Sequence, residues 1–68
     1  MTLSASLLTS LNSVGGHVRE AEITYQRLKH GETVDEQRQH TALMRLAGQG
    51  LVRRVEYWSI TAEGREKL

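Results

Sequence analysis

The chain has 68 residues, nine Lys or Arg against eight Asp or Glu, a net charge of +1, and neither cysteine nor proline. That length makes one small domain, in which only about 60% of the unfolded surface becomes buried, and without cysteine neither disulfides nor thiolate metal sites can support it. No apolar run approaches the roughly 18 residues of a membrane helix, and the first residues lack the basic and apolar blocks of a secretory leader, so a cytoplasmic chain with no membrane partner is expected.

In chain order, residues 3–14 carry Leu3, Leu7, Leu8, Leu11 and Val14 along one helical stripe. Thr2 or Ser4 serves as the cap of this helix and Gly15-Gly16 as its stop. A second helix is expected over residues 18–29, where Val18, Ala21, Tyr25 and Leu28 share a face and Gly31 supplies the stop. Ile23 falls nearly opposite that stripe, as a rim residue or a contact with a second chain. The third helix spans residues 34–49. Thr33 with Glu36 fits a capping box and Asp35 is a rival cap; Leu43, Leu46 and Ala47 point inward, Met44 sits at one edge, and Gly50 suits the position just past the end.

Residues 51–60 read as a β-hairpin, with Leu51, Val52 and Val55 in its first strand and Tyr57, Trp58 and Ile60 in its second. Alternation puts Trp58 and Ile60 on the face toward the helices and Tyr57 and Ser59 on the other. An isolated two-stranded hairpin is marginal in water, so the helices must form its platform. Thr61 caps a last helix over residues 62–68, which Gly64 weakens and from which Leu68 returns to the core. The fold class is mostly α with a small β-hairpin, and residues 1–68 form a single domain.

Enzyme chemistry has nothing to work with. His17, His30 and His40 lack metal-ligand spacing, and Glu36 with His40 one turn later is a helix-surface pair. No nucleophile stands beside a base, and Gly15-Gly16 and Gly48-x-Gly50 punctuate helices rather than cradle phosphates. No catalytic residue, metal, cofactor or small-molecule effector is therefore expected.

Charge distribution says more than net charge. Residues 37–55 hold four arginines (Arg38, Arg45, Arg53 and Arg54) and no acid, whereas residues 32–36 hold three acids and no base. The planar guanidinium suits phosphate and guanine edges. The segments LMRLAGQGLVRR, residues 43–54, and YWSITAEGREKL, residues 57–68, resemble the end of a recognition helix running into a first wing strand, then a second wing strand and its following helix. The chain is thus similar to winged helix-turn-helix proteins, in particular bacterial regulators of the MarR and PadR kind and small fimbrial regulators of the FaeA/PapI kind. The likeness is carried from about Val34 onward, and in the first half only by pattern. It departs in three ways: the wing turn at Val55 and Glu56 is minimal, Asp35 and Glu36 open the recognition helix, and no residues remain for the long dimerisation helices of the MarR and PadR kinds. The last difference points to a monomer, a weak homodimer or a minimal phage-type or plasmid-type regulator.

What the resemblance implies is double-stranded DNA binding in transcription regulation, with the third helix in the major groove. On that helix Gln37, Arg38, Thr41 and Arg45 fall on one side, away from Leu43 and Leu46, and Gln39 and His40 flank them. Gln pairs with adenine and Arg with guanine, at about 1–3 kcal/mol per good bidentate pair. Arg53 and Arg54 are adjacent in a strand and must point to opposite faces; Arg54 is expected to clamp a phosphate beside the helix, with edge protection as the plainer role for the pair. The alternative is a winged-helix module that docks a protein partner and has no DNA affinity, marked by an apolar patch around Ile23 or Tyr57.

Overall fold

The computed structural model describes residues 2–54 and 56–68. Its elements run α1 (Leu3–Val14), α2 (Glu20–Lys29), α3 (Glu36–Gly48), β1 (Val52–Arg54), β2 (Trp58–Ile60) and α4 (Ala62–Glu66). This is the expected predominantly helical fold with a two-stranded antiparallel hairpin and a short last helix, and its topology is compatible with a winged helix. Val55, expected in the first strand and its turn, lies outside the described residues.

Helix α1 begins where Thr2 accepts a hydrogen bond from the Ala5 N–H at 3.1 Å, and stops at Gly15, whose φ of 67° favours glycine. It buries Leu7, Leu8 and Leu11 as its stripe requires. These join Val18, Ile23, Leu43, Leu46, Val52 and Trp58 in the core, with Leu3, Val14, Ala42, Ala47, Leu51 and Ile60 packed around it.

Helix α2 departs most from expectation. It starts at Glu20 rather than Val18, because Val18 pairs with Trp58 in an antiparallel bridge, each N–H donating to the other's carbonyl oxygen at 2.8 Å. The β-branched Val18 thus extends the hairpin at the far edge of β2. The inward face of α2 is Ile23 and Arg27, flanked by half-buried Glu20 and Thr24, whereas Tyr25 and Leu28 are exposed. Ile23 is therefore neither a rim residue nor a surface contact, since it is fully buried. A charged side chain tolerates this burial only when its hydrogen bonds are met, and those of Arg27 are.

Asp35 caps α3, accepting from the N–H groups of Gln37 at 3.1 Å and Arg38 at 3.2 Å; the rival cap at Thr33 is not used. The helix buries Gln39, Leu43 and Leu46. Past its end Gly50 takes φ 77°, and the Leu51 N–H donates to the Leu46 carbonyl at 3.0 Å.

The hairpin pairs Val52 with Ile60, Arg53 with Ser59 and Arg54 with Trp58. Opposed residues share a face, so Val52, Arg54, Trp58 and Ile60 look toward the helices and Arg53 and Ser59 look away. Thr61 caps α4, accepting from the Gly64 N–H at 3.0 Å while its hydroxyl donates to the Gly50 carbonyl at 2.7 Å. Gly64 is buried, and a Cβ there would overlap the Leu51 carbonyl oxygen and lie 2.8 Å from Ile60 Cγ1, so glycine lets α4 touch the chain entering β1. The helix ends at Glu66, and Leu68, expected in the core, is 54% exposed because one turn is too short to bring it back.

Candidate nucleic-acid interface

The outward face of α3 follows from its inward one. With Gln39, Leu43 and Leu46 buried, steps of about 100° per residue place Gln37, Thr41 and Met44 farthest from the core, with Arg38 and Arg45 along the edge that borders α1. Gln37, Arg38, Thr41, Ala42 and Arg45 line a shallow groove of about 350 Å³ closed on one side by Leu3. The Thr41 hydroxyl donates to the Gln37 carbonyl at 3.0 Å, fixing its rotamer. Among the described residues, neither Arg38 nor Arg45 pairs with a carboxylate.

The acids at the head of α3 interfere less than their proximity in sequence suggests. Asp35 is occupied in capping two backbone N–H groups. Glu36 stands about 160–180° around the helix from Arg38 and Arg45, on the far side of the axis.

Gln39 belongs elsewhere. It is fully buried beneath α3 and cannot present its amide to a ligand on the outer face. Its Oε1 accepts from Arg27 Nη1 at 2.8 Å and its Nε2 donates to Thr24 Oγ1 at 2.8 Å and Glu20 Oε2 at 3.4 Å. From Arg27 the network continues: Nε donates to Ser6 Oγ at 3.1 Å and lies 3.4 Å from Glu32 Oε1, and the Ser6 hydroxyl donates to that same Glu32 oxygen at 2.6 Å. Three helices and the α2–α3 connection are thereby pinned together. Among the described residues, every buried side-chain nitrogen and oxygen has a partner. The Ser6 hydroxyl, more than the Arg27 charge, holds the Glu32 carboxyl below the usual glutamate range, against the opposing effect of partial burial.

His40, on the other edge of α3, pairs with Glu20 at 2.9 Å rather than with Glu36, and meets the Trp58 ring edge-on at 6.2 Å between centroids. Arg54 completes this edge. Its guanidinium carbon lies 5.1 Å from the Trp58 ring centroid, and Nη1 donates to Met44 Sδ at 3.4 Å. Arg54 is therefore held against α3, while Arg53 stands exposed on the opposite face of the ribbon. Gln37, Arg38, Thr41 and Arg45, which helical spacing groups on one side, line one groove. Met44, placed at one edge by the sequence, is exposed beside them, three residues after Thr41.

Among the described residues no helix is long and apolar enough to cross a membrane, and no three His, Asp or Glu side chains converge as metal ligands. No known protein family, curated protein or solved structure matches the chain.

Proposed function

We propose that this chain binds double-stranded DNA as a small regulator of transcription, with α3 in the major groove and the hairpin on the phosphate backbone. The observation that carries the reading is the exposed face of Gln37, Arg38, Thr41 and Arg45 on one helix, its two arginines free of carboxylate partners among the described residues. Gln37 and the two arginines supply the donor geometry for base edges and phosphates, and Thr41 and Met44 supply apolar contact for a thymine methyl. Arg54 flanks the same helix and adds a backbone contact that positions without reading sequence.

A docking module without DNA affinity is the second reading, and exposed Tyr25 and Leu28 favour it. The patch lies on the face of α2 opposite buried Ile23, while the other candidate, Tyr57, has Arg19 over its ring at 5.8 Å. Titrating labelled protein with a random-sequence duplex of about 20 base pairs, at low and moderate salt, separates the two. DNA binding predicts NMR shifts confined to residues 37–45 and 53–54, without Gln39, that fade as salt rises. An intact fold with no shifts at low salt leaves the docking module.

A further inference from the structure

Among the described residues, one face of helix α2 is left exposed. At about 100° per residue, Leu28, Ala21, Tyr25, Lys29 and Glu22 follow one another across its outward arc, with Tyr25 near the middle. All five are exposed; Tyr25 keeps 64% and Leu28 55% of their surface in solvent. The arc divides lengthwise into an apolar side (Ala21, Leu28) and a charged side (Glu22, Lys29).

The geometry points to a second copy of this chain as the occupant, its α2 laid antiparallel against this one about a two-fold axis beside Tyr25. Such an axis keeps each lengthwise side of the face on its own side, so apolar meets apolar and charged meets charged. It also reverses direction along the helix. Ala21 lies four residues before Tyr25 and Leu28 three after, so Ala21 of one copy falls within about 1.5 Å of axial register with Leu28 of the other. Glu22 and Lys29 lie three before and four after, so they meet across the axis with the same small offset, twice per dimer. The two Tyr25 rings meet at the centre.

Charge complementarity selects a second copy over an unrelated partner. Glu22 and Lys29 are two turns apart on their own helix, about 10 Å along the axis, too far to pair with each other. Among the described residues neither has an ion-pair partner. An antiparallel copy supplies the missing opposite charge to both residues at once. A parallel two-fold arrangement exchanges the two sides and sets Glu22 and Lys29 against the partner's Ala21 and Leu28, leaving both charges unpaired. A ten-residue helix with three apolar side chains per copy falls short of the roughly 800 Å² per partner of a standard interface, so the association is weak and seen at high concentration. It needs no DNA.

The test is sedimentation velocity over a concentration series, with NMR linewidths in parallel. Glu22→Lys alone sets lysine against lysine and Lys29→Glu alone sets glutamate against glutamate, so each weakens self-association at least about tenfold. The double variant E22K/K29E regains it. Equal amounts of the two single variants, each monomeric alone, form a heterodimer on mixing, a result that no general loss of helix stability can imitate. Tyr25→Ala yields a monomer with unchanged circular dichroism. A wild-type chain that stays monomeric to millimolar concentration overturns the pairing. So does a dimer indifferent to the charge exchanges, because it must use another surface.

Discussion

Arg27 Nη1 donates to Gln39 Oε1 at 2.8 Å, and both side chains are all but sealed from solvent, at 5% and 0% exposure. The contact joins α2 to α3 through polar atoms at the place where apolar packing is the ordinary solution. Removing one member leaves the other's donors or acceptors buried without a partner, which costs more than the hydrogen bond contributes. Gln39→Ala should lower unfolding free energy by about 2–4 kcal/mol. With Arg27→Met it should show a coupling beyond about 0.5 kcal/mol in a double-mutant cycle. Additive losses in urea denaturation would mean that the pair is not a unit.

Glu32 carries the pH dependence of the same network. Its carboxyl titrates below the usual glutamate range when folded, chiefly because the Ser6 hydroxyl donates to it and secondarily because Arg27 is near, while partial burial opposes both. The folded state then binds fewer protons than the unfolded one over that interval. Its stabilising contribution is therefore complete above the unfolded glutamate value, about 4.3, and is lost as pH falls through the lower folded value. Glu32→Gln should flatten the acid side of a melting-temperature profile recorded between about pH 2.5 and 6, by lowering the neutral end while leaving the acid end nearly unchanged. A profile unaltered by that substitution would remove Glu32 from the acid response. The Glu32 side chain is 35% exposed, so the effect is expected to be modest.

The same network explains where the sequence could be read and where it could not. Leu7, Leu8 and Leu11 on α1, and Leu43 and Leu46 on α3, were legible because a period of 3.6 in apolar residues is a direct image of a buried face. Helix α2 inverts that image: Arg27, Thr24 and Glu20 turn toward the core while Tyr25 and Leu28 stay outside, and apolar counting chose the exposed face. Gln39 did leave a signal, lying four residues before Leu43 and seven before Leu46 on the same inward stripe. In the candidate site, the grouping of Gln37, Arg38, Thr41 and Arg45 needed only helical spacing. The stacking of Arg54 on Trp58 needed the hairpin register, and a slip of one residue would exchange Arg54 with Arg53.

Two glycines should respond oppositely to the same substitution. Gly64→Ala forces a methyl into the Leu51 carbonyl and Ile60, so despite a gain in helix propensity of up to about 1 kcal/mol the net loss should be about 2 kcal/mol or more. In a domain of this size that is a fall in melting temperature of roughly 10 °C. Gly48, in the last turn of α3 with open space where its Cβ would stand, should accept alanine with a gain of up to about 1 kcal/mol. Thermal melts of the two variants decide it. A neutral Gly64→Ala would show that α4 does not pack on Leu51.

The two arginines of the hairpin should separate in the same way. Arg54 faces the helices and is anchored by Trp58 and Met44 on the flank of α3, whereas Arg53 projects from the opposite face beside Ser59. If α3 enters the groove, Arg54 reaches the adjoining phosphates and Arg53 does not. Arg54→Ala should therefore weaken binding to random-sequence duplex several-fold and reduce the slope of log K against log salt by about 0.9, the loss of one neutralised phosphate. Arg53→Ala should leave both nearly unchanged. Trp58 is the chain's single tryptophan, so its fluorescence reports the contact directly: duplex binding that pulls Arg54 off the ring should alter emission in the wild type and not in Arg54→Ala. If Arg53→Ala has the larger effect on the salt slope, the hairpin meets DNA by its other face, and α3 cannot lie in the groove as proposed.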